Sequence, residues 1–170
     1  EERGACPDAA EYGMKERFSN KTAIAPTASI SIICGGSSPG IEPIAANSYT
    51  HKTLSGSFNV RNKYLKKLLQ KYKKDTNEVW SSITTNQGSV SHLDFLNAEE
   101  KDTFKTAFEI DQRWIVELGA DRTPHISQAQ SVNIFIPADI HKKDLHDLHF
   151  QAWKKGLKSL YYCRSKSIQR

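Results

Sequence analysis

The run Thr22 to Ser31, Thr-Ala-Ile-Ala-Pro-Thr-Ala-Ser-Ile-Ser, groups residues suited to holding an anion. Thr22 to Ala25 are small or β-branched and suit a buried strand; Pro26 has no N–H to give a sheet ladder, and Thr27 suits a helix N-cap. A helix starting there leaves the N–H groups of Ala28, Ser29 and Ile30 without acceptors inside it. Those donors, the helix dipole and the hydroxyls of Thr27 and Ser29 would converge on a phosphate at the carboxyl end of a strand. Gly35-Gly36 would then close the helix after about two turns. A second reading stands beside this one. Ser29-Ile30-Ser31-Ile32 alternates with period two, as a half-buried strand does before a Gly-Gly-Ser-Ser-Pro-Gly turn. Local pattern leaves both open.

Other candidates are sparser. Glu42, in a loop rich in Asn, Ser, Thr and Gly that runs to Phe58, could act as an acid or base beside such a site, or serve only as a cap or hydrogen-bond acceptor. His146 and His149 share a helix face at a spacing that could hold a metal, yet no carboxylate or cysteine accompanies them at metal-ligand spacing, which favours surface histidines. Cys6, Cys34 and Cys163 are odd in number and far apart, so neither a disulfide framework nor a zinc site is supported.

These residues must be positioned by one core. A chain of 170 residues, 38% hydrophobic, suffices for a single sizeable domain or a piece of a larger one. No apolar run approaches bilayer length and no leader pattern opens the chain, so a soluble, cytoplasmic protein with no membrane partner is expected. The net charge of +5 is concentrated between Arg61 and Lys74. That basic face could engage nucleic acid or an acidic partner, making the chain a non-catalytic binding module, although a solvated face is the commoner use of such a helix. The opening Glu-Glu-Arg-Gly-Ala-Cys-Pro, without Met, suggests a fragment.

Helix formers over Asp8 to Phe18 stop at Ser19-Asn20. Leu65, Leu68, Leu69 and Tyr72 give one apolar face between Asn59 and Lys74, and Thr76 to Thr85 reads as a short helix. Ser91 or Asn97 opens a longer helix up to Gly119, followed by a charged turn at Asp121 to His125. Ser131 to Ile136 is the clearest strand; Asp139 is expected to cap a helix with Leu145, Leu148, Ala152 and Gly156 along one stripe, and Leu157 to Cys163 reads as the next strand. Strand, helix, strand is a parallel crossover, so the fold class is α/β. Functional residues then belong at carboxyl ends of strands, where Thr27 to Ile30 and, nearly, Tyr161-Tyr162 fall.

Five motifs in register carry a family resemblance: Ala25-Pro26-Thr27-Ala28-Ser29, Gly40-Ile41-Glu42-Pro43, Tyr49-Thr50-His51 with Leu54-Ser55-Gly56-Ser57-Phe58, Gln128-Ala129-Gln130-Ser131-Val132-Asn133, and Gly156-Leu157-Lys158 with Leu160-Tyr161-Tyr162-Cys163-Arg164. Over nearly its whole length the chain resembles the C-terminal part of the large subunit of class I ribonucleoside-diphosphate reductases. The resemblance implies that residues 1–170 are the C-terminal portion of a ten-stranded α/β barrel that makes deoxyribonucleotides for DNA replication by radical chemistry. It implies that Thr27, Ala28, Ser29 and Ile30 hold the substrate diphosphate at a helix N-terminus. It also implies that Tyr161 and Tyr162 relay oxidising equivalents from the small subunit toward a barrel cysteine. If the two tyrosines stack, the backbone must depart from regular strand geometry there, because adjacent strand residues face opposite ways.

The same resemblance implies what lies elsewhere. The thiyl-radical cysteine, its flanking Asn and Glu, the electron-supplying cysteine pair and the nucleotide-sensing region would precede Glu1, and a tail with shuttle cysteines would follow Arg170. Implied partners are a ribonucleoside diphosphate, the remainder of the large subunit, the small subunit, and thioredoxin or glutaredoxin through that tail, with no nucleic acid. No cofactor is expected in this chain; a radical-generating metal centre is expected in the small subunit. The chain alone is expected to be inactive.

Overall fold

In a computed structural model of the chain, residues 3–18, 20–54 and 56–166 are described. Ser19, expected to end the first helical pattern, and Ser55 of the Leu-Ser-Gly-Ser-Phe run lie outside them. The first helix, α1 (Pro7–Glu11), is shorter than the expected Asp8 to Phe18. Gly13 at φ +68° turns the chain, and Met14 N–H bonds back to Ala9 O at 2.9 Å. The expected strand at Thr22 to Ala25 is reduced to one parallel bridge between Ile24 and Gln130.

Helix α2 (Ala28–Ile33) follows Thr27, so the helical reading of this run holds and the alternating strand does not. Burial explains why period two misled. Ile30 and Ile32 are more than half exposed, whereas Ser31 is the buried residue, so the alternation does not mark an inward face. Gly35 and Gly36, at φ +81° and +78°, close the helix with Gly36 N–H on Ser31 O at 3.0 Å. Lys63 Nζ donates to Gly35 O at 3.0 Å, a cation where the helix dipole is negative.

The segment expected to be irregular up to Phe58 contains an antiparallel hairpin, β1 (Ser48–Thr53) and β2 (Gly56–Arg61), paired from Ser48↔Arg61 to Thr53↔Gly56. Asn47 anchors its base. Its Nδ2 donates to Gly88 O (3.0 Å) and Phe104 O (2.8 Å), and its Oδ1 accepts from Asn62 Nδ2 (2.8 Å). Because β2 runs through Arg61, α3 (Lys63–Lys71) is shorter than the amphipathic pattern, and Asn62 caps it through Tyr64 and Leu65 N–H. With α4 (Asn77–Thr85, capped by Thr76) it builds one core from Leu65, Leu69, Trp80, Ile83, Val90, Leu93 and Leu96. Each fully buried Leu or Ile there contributes roughly 1.5–3 kcal/mol.

The single helix expected up to Gly119 is three pieces: α5 (Ala98–Thr103), a 3-10 turn (Ala107–Glu109) and α6 (Gln112–Arg122). Each piece has its own cap. Asn97 and Glu100 form a capping box, Thr106 pairs with Glu109, and Asp111 accepts from Arg113 N–H; apolar spacing continued across breaks that these polar residues set.

The parallel crossover is present: β3 (Ile134–Ile136), α7 (Lys142–Lys154) and β4 (Cys163–Ser165), with Ile134↔Cys163 to Ile136↔Ser165 in register. His141, not Asp139, caps α7, its Nδ1 accepting from Lys143 N–H at 3.2 Å. The second strand begins at Cys163, later than the expected Leu157, because Gly156 at φ +79° ends α7 and residues up to Ser159 form the return. Val116, Ile134, Leu148 and Ala152 bury the α6, β3 and α7 contact, and Leu157 and Leu160 join this cluster to Ala107, Ile115, Val132 and Phe135. The Ile24 bridge, β3 and β4 thus lie as parallel neighbours with helices packed on them, an α/β arrangement.

Candidate functional site

Thr27 to Ile30 sit where the extended segment bearing the Ile24 bridge passes into α2. The first helical bond is Ser31 N–H to Thr27 O at 2.8 Å, which leaves the N–H groups of Ala28, Ser29 and Ile30 unused by the helix; all three residues are exposed. Thr27 departs from expectation in one respect. Its N–H and its Oγ1 both donate to Pro39 O, at 3.1 and 3.0 Å, so its hydroxyl proton points at the loop and not at an incoming anion. The available donors are therefore backbone groups, with the exposed Ser29 beside them.

Glu42 is 5% exposed and does not stand open as an acid or base. Its Oε1 accepts from Asn133 N–H, and Asn133 Nδ2 lies 3.3 and 3.2 Å from its two oxygens. A Cβ at Gly40 would lie 2.3 Å from Glu42 Oε2, so a side chain at position 40 would push the carboxylate from its present place. This pairing spans 91 residues, and the sequence signal for it is only that both partners fall within motifs of the resemblance.

Tyr161 and Tyr162 lie at the amino end of β4 and not, as expected, near the carboxyl end of a strand, because the strand starts only at Cys163; their ring centroids are 4.2 Å apart and their planes inclined by 57°. Their backbone shows how adjacent residues can touch. Tyr161 N–H donates to Val132 O (2.8 Å), whereas Tyr162 O accepts from Ile134 N–H (2.9 Å). A regular parallel ladder would take both bonds through one residue; here Asn133 faces two, a bulge-like step that turns neighbouring side chains to one side. A hydrogen bond with the Tyr162 hydroxyl holds the Tyr161 phenol above its usual range, with Arg164 opposing it. Arg164 Cζ lies 5.0 Å from the Tyr162 ring centroid. Both rings are about half exposed.

The remaining candidates have local partners. His149 Nδ1 lies 2.8 Å from Leu145 O and His146 stacks on Phe150. Among the described residues, no group of three or more His, Cys, Asp or Glu is arranged to hold a metal ion, and no helix is long and apolar enough to cross a membrane. The three cysteines are free thiols; Cys6 and Cys34 flank α1 and α2, and Cys163 opens β4. Basic residues between Arg61 and Lys74 are partly engaged within the fold: Arg61 lies over Trp80, Lys63 caps α2 and Lys74 lies over Phe95.

Comparison with known proteins adds to this geometry. The ribonucleotide reductase barrel domain model matches residues 5–163. The ribonucleoside-diphosphate reductase large subunit of Invertebrate iridescent virus 6 is 51% identical over 170 residues, 98% of this chain and 18% of that protein. That of Caenorhabditis elegans is 37% identical over 142 residues, 83% of this chain and 18% of the relative. Among solved structures, the class Id ribonucleotide reductase alpha subunit of Actinobacillus ureae superposes with a TM-score of 0.82 at 40% identity, covering 94% of this chain and 28% of that one. The chain thus spans less than a third of these relatives. With its parallel strands, crossover helix and matched motifs, it belongs to the ribonucleotide reductase large-subunit family, as a portion of the α/β barrel domain.

Proposed function

We propose that this segment supplies two parts of a ribonucleoside-diphosphate reductase: the cradle for the substrate diphosphate at Thr27, Ala28, Ser29 and Ile30, and the tyrosine relay at Tyr161 and Tyr162. The observation that carries the reading is the helix that opens at Ala28 against its own local alternation, just past the Ile24 bridge, with exposed backbone donors that the helix does not use. The diphosphate is held by main-chain N–H groups and the helix dipole, a mode that tolerates any base and leaves base selection to other residues.

Contact between the tyrosine rings supports the second part. An oxidising equivalent that takes an electron from one phenol as its proton leaves gives a neutral tyrosyl. That radical regains an electron and a proton from the adjoining phenol, so the hole advances one residue without net charge on either ring. The radical-generating metal centre belongs to the small subunit in this reading, which also places the protein in the cytoplasm and makes thioredoxin or glutaredoxin the reductant of the complete subunit. Turnover requires the remainder of the large subunit.

The test uses the complete large subunit containing this segment, its small subunit and a dithiol. Tyr161→Phe and Tyr162→Phe should each abolish deoxynucleotide formation while ribonucleoside diphosphate binding is retained. Turnover near the unsubstituted level in either variant removes the relay. Ala28→Glu, which places a negative charge among the donors, should weaken diphosphate binding about tenfold or more; unchanged binding removes the cradle.

A further inference from the structure

We propose that Glu42 is a positioning residue for the diphosphate cradle, acting through Asn133 and Pro39; the inference rests on the cradle reading. The Glu42 carboxylate bonds to Asn133 and not to Thr27 to Ile30. It fixes the loop that bonds to Thr27.

The chain of contacts is short. Pro39 O accepts both the N–H and the hydroxyl of Thr27, so the residue from which α2 starts hangs on this carbonyl. The loop around Pro39 is closed on itself by Ser38 Oγ, which donates to Glu42 O at 2.5 Å and accepts from Gly40 N–H at 3.4 Å. Its side-chain tie to the strand layer is the Glu42 carboxylate on Asn133, made by the backbone N–H and by Nδ2. Displacing Glu42 removes the side-chain tie next to Pro39 and leaves the segment held only from Ile44 onward, where Ile44 O accepts from Ala107 N–H at 2.9 Å; Pro39 in turn sets where the donors of Ala28 to Ile30 point.

Two features separate this arrangement from an ordinary loop staple. Asn133 turns its amide nitrogen to the carboxylate and leaves its own Oδ1 buried without a partner among the described residues. Rotating the amide would satisfy nothing and would set oxygen against oxygen, so the carboxylate dictates its orientation. Gly40 leaves space for Glu42 Oε2 that any side chain would occupy. A buried carboxylate held by neutral donors alone is costly relative to an apolar plug. In this proposal the pairing contributes position and not net stability.

The test again uses the complete large subunit with its small subunit and a dithiol. Glu42→Ala and Gly40→Ala should each raise KM and the directly measured Kd for the ribonucleoside diphosphate about tenfold or more, with kcat at saturation changed by less than about threefold. Glu42→Gln keeps one acceptor oxygen for Asn133 N–H and should recover part of the affinity. Asn133→Ala, which keeps the backbone bond, should give a smaller loss and serves if Glu42→Ala does not fold. A merely structural role would lower the amount of active enzyme and leave KM alone; that result in a folded variant overturns the proposal. If Ala28→Glu weakens binding and Glu42→Ala does not, the positioning role fails while the cradle stands. If neither does, the cradle reading itself has failed.

Discussion

Gly88 offers a quantitative test of how the hairpin and the first core are joined. It lies at φ +83° just past α4, donates to Ile83 O at 2.8 Å, and its carbonyl receives both Asn47 N–H and Asn47 Nδ2. A Cβ there would stand 2.3 Å from Ala46 Cβ, 2.6 Å from Ala46 Cα and 2.9 Å from Asn47 N, so backbone would have to move. Left-handed backbone at a non-glycine residue costs about 1–2 kcal/mol. Forced displacement in a packed region adds about 1–3 kcal/mol. Gly88→Ala should therefore destabilise by about 2–5 kcal/mol. Gly156→Ala is the control: its φ is +79° but nothing lies within 4 Å of the new Cβ, so only the first part, about 1–2 kcal/mol, applies. With a urea slope of about 2 kcal/mol/M, the expected midpoint shifts are about 1–2.5 M and about 0.5–1 M respectively. Trp80 is 1% exposed whereas Trp114 and Trp153 are 64% and 72% exposed, so tryptophan fluorescence reports mainly the first core, and far-UV circular dichroism follows the whole chain. Equal shifts for the two variants would refute the steric part of the reasoning.

Two further outcomes follow from polar contacts. Burial alone would raise the Glu109 carboxyl, but hydrogen bonds from Ser89 and from Thr106 N–H and hydroxyl outweigh it and hold the group below its usual range. A depressed folded value means stabilisation is fully present above the ordinary glutamate value of about 4.3 and is lost as pH falls through the folded one. The urea midpoint gap between the unsubstituted chain and Glu109→Gln should therefore be widest at neutral pH and close on acidification; a gap independent of pH would contradict this. Lys158 Nζ donates to Ile126 O and Ser127 O, both at 2.7 Å, and ties down the loop beside the Ile24 bridge. Lys158→Met should speed amide exchange at Gln128 about fivefold, the contact being exposed and discounted accordingly, with exchange within α4 unchanged.

Legibility in the sequence followed the range of each interaction. Helix starts set by adjacent caps could be read, at Thr76 directly and at Asn97 as one of two options beside Ser91, because cap and helix are local. The same chemistry explains a failure: Thr106 and Asp111 interrupt what apolar spacing presents as one helix, since periodicity counts apolar positions and ignores a polar residue that bonds its own backbone. The hairpin was invisible because Tyr49 and Phe58 on its strands are about half exposed and its base is held by Asn47, two of whose partners lie 41 and 57 residues away. At α2, local alternation and the family motif disagreed, and the tertiary contacts of Thr27 with Pro39 and of Gly35 with Lys63 accompany the helix. Glu42 could be singled out but not its job, which depends on Asn133.

The doubled residue opposite Asn133 has a mechanical consequence. Asn133 is flanked by Val132, whose carbonyl takes the Tyr161 N–H, and by Ile134, whose N–H binds the Tyr162 carbonyl, while its own N–H binds Glu42. Three consecutive residues therefore form a common abutment for the tyrosine pair on one edge and the Pro39 loop on the other. A sideways slip of this short span would act on both neighbours: the contact of the two rings and the Glu42 side of the Pro39 loop are braced by the same few ångströms of backbone. Motion there would be registered in both places at once, so the Pro39 loop and the ring contact share a single point of adjustment.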